Sequence, residues 1–166
     1  MTQLMQGVEK AVQYVDQWKK RELLNLALTA NPTLPICVPI KKDAYLVGRF
    51  GVKKYGKIWE AIDSRSEQCY YFSCRSSAVV YTLSTQTGHA KLARDILQYD
   101  TDVLRLSEQL DLCNYKLARA QHKKDYWRVD HFYNLISRVD FRLLDAKNHL
   151  EKSMHLAKYF KIWNSI

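Results

Sequence analysis

The stretch LARDILQYDTDVLRLSEQLDLCNYKLARA, residues 92–120, followed by VDHFYNLISRVDFRLLDAKNHLEKSMHLA, residues 129–157, decides the fold. In the first segment Leu92, Ile96, Tyr99, Val103, Leu106, Leu110, Cys113, Leu117 and Ala120 recur at alternating steps of four and three, the spacing of a coiled-coil seam. In the second, Val129, Phe132, Ile136, Val139, Leu143, Ala146, Leu150, Ser153 and Ala157 repeat the pattern, with Ser153 its one polar member. Extending the phase of the first seam leads to Lys124, Trp127 and His131, so the two stripes are not one. A turn over Gln121 to Asp125 explains the break; a continuous helix with a phase slip is the alternative. At a rise of 1.5 Å per residue the arms of such an antiparallel hairpin are roughly 45 to 55 Å long.

If Ala120 faces Val129 and Leu92 faces Ala157, facing residues have numbers that sum to 249. That register sets Asp111 beside Arg138, Asp102 beside Lys147, Arg119 beside Asp130 and Glu108 near Arg142. Exposed pairs of this kind are worth a few tenths of a kcal/mol and select register more than they stabilise. Leu104, Leu112, Tyr133 and Leu135 flank the seams and are left without cover, which predicts packing by the chain's first helix or by another subunit.

Upstream of the hairpin the pattern changes. Leu4, Val8, Ala11, Val15 and Trp18 form an apolar stripe that predicts a helix over residues 3–29. Pro32, Pro35 and Pro39 then make Asn31 to Ile40 an extended connector. Between Ala44 and Cys74 short strand-like runs alternate with turn residues, and three strands are expected, Tyr45 to Lys53, Lys57 to Ile62 and Gln68 to Cys74. Turns are expected at Lys54 to Gly56 and at Asp63 to Glu67. Ser76 or Ser77 is the expected cap of a short helix through Ala78, Tyr81 and Thr85 that ends near Gly88.

The fold class is therefore α+β and mostly α: an N-terminal helix with a small three-stranded antiparallel β unit in residues 1–88, and a long antiparallel helical hairpin in residues 89–166. A chain of 166 residues, 47% hydrophobic and 26% charged, has room for one domain with its own core, or a small domain with an extended appendage. Met1 to Glu9 has no signal-peptide pattern and no apolar run approaches the roughly 20 residues of a membrane span, so a soluble protein is expected. Cys37, Cys69, Cys74 and Cys113 contain no CxxC pair; reduced, partly buried thiols in a cytosolic setting are expected.

No motif specifies a reaction. The five histidines, His89, His122, His131, His149 and His155, lack metal-ligand spacing, and Glu151 with His155 reads as a surface contact one helical turn apart. There is no Walker glycine loop, no GxSxG and no HExxH. Catalytic, cofactor and metal sites are not expected. The net charge of +9 favours an acidic partner. Two basic clusters stand out. Arg49, Lys53, Lys54 and Lys57 lie close in sequence to Tyr55 and Trp59, a composition suited to holding a single strand by phosphate contact and base stacking. Solvated lysines at a hairpin turn over a core Trp59 and Tyr71 are the plainer reading. Lys116, Arg119, Lys123, Lys124 and Arg128 surround the hairpin turn with Asp125 as the one acid between 113 and 128.

The runs Ala44-Tyr45-Leu46-Val47-Gly48-Arg49-Phe50, Trp59, Ser76-Ser77-Ala78-Val79-Val80-Tyr81 and Leu156-Ala157-Lys158-Tyr159 resemble uncharacterised proteins of marine T4-like tailed phages, over about residues 44–163. The resemblance implies a viral origin, expression in a bacterial host cytoplasm and the virion as a destination; it carries no functional residues. The expected function is that of a non-catalytic structural or assembly protein acting through subunit or partner contacts of its hairpin. The alternative is a basic accessory protein that binds nucleic acid through Arg49, Lys53, Lys54, Tyr55, Lys57, Lys116, Lys123, Lys124 and Arg128.

Overall fold

The computed structural model describes residues 37–160 and residue 162; the helix expected over residues 3–29 lies outside them. The chain is α+β and mostly helical; the described residues form a five-stranded antiparallel meander followed by three helices. The strands are β1 (Cys37–Lys41), β2 (Ala44–Val47), β3 (Phe50–Tyr55), β4 (Ile58–Asp63) and β5 (Cys69–Phe72), each paired with its neighbours in sequence order. The helices are α1 (Arg75–Gln86), α2 (Ala90–His122) and α3 (Tyr126–Tyr159).

Five strands replace the expected three for two local reasons. The run Tyr45 to Lys53 is not one strand but two, broken at Gly48 and Arg49 between Val47 and Phe50. This is the same two-residue device as Gly56 and Lys57 between Tyr55 and Ile58. In both, the glycine comes first and has a positive φ, +56° at Gly48 and +61° at Gly56, as hairpin turns of the primed type require. The second correction is at the connector. Cys37–Lys41 pairs with β2 as the edge strand, where Pro39 costs no interior hydrogen bond.

The strand register assigns the two faces. Val47, Phe50, Val52, Ala61 and Phe72 are buried against α1, which contributes Ala78, Val79, Val80, Tyr81 and Leu83 to the same core. Tyr81 sits among Phe50, Tyr70 and Phe72 at ring-centroid distances of 6.2, 5.1 and 5.1 Å. Gln86 clamps the Gly48 turn to the end of α1: its Oε1 accepts the Arg49 N–H at 2.9 Å and its Nε2 donates to the Val47 carbonyl at 2.9 Å. A Cβ at residue 48 would run into that amide. Cys74, with extended backbone, is the N-cap of α1, and neither serine caps it; Ser77 is buried inside the first turn.

Helices α2 and α3 form the expected hairpin, turning over Lys123 to Asp125. Both seams face inward. Leu92, Ile96, Val103, Leu106, Cys113 and Ala120 are buried on α2, and Val139, Leu143, Ala146, Ser153 and Ala157 on α3. Ser153 hydrogen-bonds the His149 carbonyl at 3.1 Å, which satisfies the one polar seam residue. The Tyr99 and His149 rings stack 5.0 Å apart across the arms, within one residue of the expected register. The four expected interhelical ion pairs do not form among the described residues. The bridges on the arms are short-range instead: Arg105 with Asp102 at 2.8 Å, His149 with Asp145 at 3.6 Å and His155 with Glu151 at 3.6 Å. Residues one turn apart on a helix meet without ordering two arms, so they win in solvent.

The hairpin joins the head at its open end. Leu92, Ala93, Ile96, Ala157 and Ile162 are part of the head core, whereas Val103, Leu106, Val139, Leu143 and Ala146 form a separate cluster farther along the arms. Between the two clusters lies Asp100, 0% exposed, whose carboxylate accepts the Ser73 N–H at 2.6 Å and the Ser73 hydroxyl. Of the flank residues, Leu104 and Leu135 are half-buried, and Leu112 and Tyr133 stay exposed.

Two outcomes follow from these contacts. Replacing Gln86 by Leu strands the Arg49 N–H and the Val47 carbonyl, and is expected to lower unfolding free energy by about 2 kcal/mol, read from the urea midpoint. Burial raises the pKa of Asp100 above the ordinary carboxylate value, against the lowering effect of its bonds from Ser73. A carboxyl that holds its proton more tightly when folded adds most stability below about pH 4 and loses it as pH rises through the raised folded value. Wild type should therefore lose stability relative to Asp100→Asn between pH 4 and neutrality, and a difference independent of pH in urea titrations contradicts this.

Candidate nucleic-acid interface

The β-zone cluster expected from sequence does not assemble as one site. Arg49 lies in the β2–β3 turn and Lys57 in the β3–β4 turn, at opposite ends of β3, about 20 Å apart for six residues of strand. Arg49 is occupied: its Nε and one terminal nitrogen each lie 3.1 Å from Oδ2 of the buried Asp63, and its guanidinium stands 5.2 Å over the Phe50 ring. It is a fastening between turn and sheet, and is removed from the candidate contact residues. Lys53 bridges Glu60 directly across the hairpin at 3.1 Å. Lys54 lies opposite Trp59 on the other face, and Tyr55 is exposed beside the Gly56 turn.

Trp59 packs on the head core and sits 6.1 Å from Tyr45, so its indole supports the fold. Arg75 covers the Tyr45 ring at 5.3 Å and donates to its hydroxyl at 2.9 Å. Tyr71, in contrast to the core position expected for it, is 46% exposed. Lys54, Tyr55 and Lys57 remain as a small basic hairpin end.

At the other end of the molecule four of the five expected residues converge, and Lys124 does not line the site. Lys116, Arg119, Lys123 and Arg128 line an open depression of about 330 Å³ together with Ala120, Asp125 and Phe132. The local sequence builds it. Helix α2 brings Lys116, Arg119 and Lys123 to one side at steps of three and four, and α3 starts at Tyr126 so that Arg128 returns from the opposite arm. Lys124, with φ +56°, is the left-handed residue that ends α2, and the Asp125 N–H donates to the Ala120 carbonyl at 3.0 Å. Asp125 is committed to starting α3, since Oδ1 accepts the Arg128 N–H at 3.3 Å and Oδ2 lies 3.3 Å from Arg128 Nε. No ion pair within 4.0 Å forms at Lys116, Arg119, Lys123 or Lys124 among the described residues.

Sequence reasoning missed the rings around these cations. Tyr126 is 74% exposed, Trp127 77% and Tyr115 60%, although large aromatic surfaces normally find cover. The Trp127 ring stacks on His131 at 5.9 Å with 10° between planes, and Arg119 lies 5.8 Å over Tyr115. The signal was present: Tyr115, Tyr126 and Trp127 are large aromatic residues near the turn that the two seams leave out.

A second groove, midway along the arms, is lined by Tyr99, Arg105, Phe141, Arg142, Asp145 and His149 among others, with both signs of charge represented. No group of three or more His, Cys, Asp or Glu residues suited to a metal occurs among the described residues. The thiols are free. Burial pushes Cys37 up, and desolvation with the neighbouring Glu60 raises Cys69, the reverse of what activates a nucleophile. No described helix is long and apolar enough to cross a membrane. Comparison of the chain with protein-family models, with curated proteins and with solved structures gives no match.

Tip and seam should respond differently to truncation. Leu106→Ala, at a position 2% exposed, is expected to cost about 2 to 5 kcal/mol, while Trp127→Ala and Lys123→Ala stay within about 0.5 kcal/mol of wild type in urea unfolding.

Proposed function

We propose that this protein is a non-catalytic binding protein that contacts nucleic acid with the tip of its helical hairpin. The observation that carries the reading is the convergence of Lys116, Arg119, Lys123 and Arg128 on one open depression, with a single acid already engaged by its own helix. Cations at the end of two stiff arms can reach a polyanion that a rounded head cannot approach closely, and Asp100 to His122 alone spans about 33 Å of helix. The head then serves to hold the open ends of the arms. Phosphate contacts release counterions, so affinity falls steeply with salt.

A second reading is supported by a different surface. Leu112 at 52% exposure, Phe141 at 74% and Leu144 at 58% lie along the arms away from the tip, as subunit contacts of an assembly protein would. In analytical ultracentrifugation this reading expects self-association that Phe141→Asp with Leu144→Asp abolishes; a strict monomer counts against it.

For the nucleic-acid reading, titration of labelled DNA at a series of salt concentrations should give a log–log slope of roughly −3 if about four phosphates are engaged. Neutralising Lys116, Arg119, Lys123 and Arg128 together should remove most of that slope, somewhat under one unit per cation and least for Arg128, which must exchange Asp125 for phosphate, while Lys53 and Arg49, held by Glu60 and Asp63, contribute little. Unchanged binding in the fourfold variant overturns the assignment of the site.

A further inference from the structure

We infer that the hairpin tip selects unpaired over duplex nucleic acid, with Trp127 and Tyr126 as the platform on which bases stack; the inference rests on the nucleic-acid reading of the tip. Cations alone do not discriminate, since a duplex and a single strand both present phosphates. The rings do. Trp127 and Tyr126 open α3 at 77% and 74% exposure, immediately before Arg128, which lines the depression.

Their exposure has no packing cause, because the seam of α3 begins at Val129 on the inward side. The Trp127 indole lies near-parallel to the His131 ring, centroids 5.9 Å apart, a contact that favours one orientation of the ring while leaving it 77% exposed. A ring held in this way loses little freedom when a flat ligand settles on it. Arg119 over Tyr115 is a second planar pair, on the opposite arm, and Arg119 and Arg128, next in sequence to Trp127, both line the cationic depression.

In a duplex the base faces are covered by their neighbours, and only the edges are accessible from the grooves. A single strand can lay its phosphates into the depression while turning bases onto the rings, and each base stacked on an aromatic side chain tightens binding about five- to a hundredfold. At a volume near 330 Å³ the depression is at the small end of ligand sites, which are about 300 to 1,000 Å³, so it suits one backbone segment with its bases outside it.

The test uses the full chain and three probes of equal length: an unstructured DNA strand, the same sequence as a duplex, and an abasic strand that keeps the phosphates. The strand should bind at least tenfold more tightly than either of the others at the same salt, and should quench indole fluorescence in wild type but not in Trp127→Phe. Trp127→Ala with Tyr126→Ala should remove about five- to a hundredfold of the affinity for the strand and leave duplex and abasic binding unchanged. Both rings are exposed, and an unchanged urea midpoint shows that the double variant is folded. Equal affinity for strand and duplex, or a ring variant that binds the strand as wild type does, overturns the inference while leaving a phosphate-binding tip intact. Failure of all three probes to bind overturns the nucleic-acid reading itself.

Discussion

The buried carboxylate of Asp100 is the constraint through which head and hairpin act as one body. Asp100 belongs to the long helix α2, while both donors it takes from residue 73, the N–H and the hydroxyl, belong to the junction between β5 and α1. Burying a carboxyl is unfavourable unless its oxygens are satisfied, so the geometry that satisfies them is strongly selected over its neighbours. A slide of α2 by one turn would carry Asp100 about 5.4 Å away from Ser73. Apolar contacts at Leu92, Ile96 and Ala157 supply the burial but tolerate small displacements; the carboxylate with its two donors does not.

That fixed junction gives the rest of the molecule a direction. Beyond Asp100 the arms hold each other through Val103, Leu106, Val139, Leu143 and Ala146, and nothing from the sheet belongs to that cluster. Toward the turn the seam thins, with Val129, Phe132 and Ile136 half-buried. Small Ala120 beside Phe132 leaves room for the depression into which the cations lean. The tip is therefore the place where the packing rule of the hairpin relaxes, and where Lys116, Lys123 and Lys124 form no ion pair among the described residues and Tyr126 and Trp127 stay exposed.

The head solves a different problem. A meander of short strands is stable when one face is covered, and α1 covers it with Val79, Val80 and Leu83. The clamp of Gln86 on the Gly48 turn and the grip of Arg49 on Asp63 fasten the end of the sheet nearest the C-terminus of α1. The basic residues near that sheet thereby separate by role. Arg49 and Lys53 are held by acids, and Lys54 and Lys57 lie at the far turn.

Residue spacing by itself determined two helical arms, because a seam of threes and fours over nearly thirty residues has one helical solution, and the break in phase located their junction; that the junction is a turn and not a slip within one helix was decided by the packing of the two seams on each other. Spacing also determined that Lys116, Lys123, Lys124 and Arg128 gather at that junction, since both arms begin or end there. The fifth strand at Cys37–Lys41 and the break at Gly48 were not legible in the same way. A two-residue glycine turn and an edge strand containing proline are recognisable once a neighbouring strand pairs with them, and pairing is a contact between distant residues. Only the tertiary structure decided which charges are free. Arg49, grouped by sequence with the lysines, faces Asp63 fourteen positions away, and Lys53 meets Glu60 across the β3–β4 hairpin. Periodicity reports which face a residue occupies, but a charge is committed by whatever the fold brings within about 4 Å of it, and that is settled by packing.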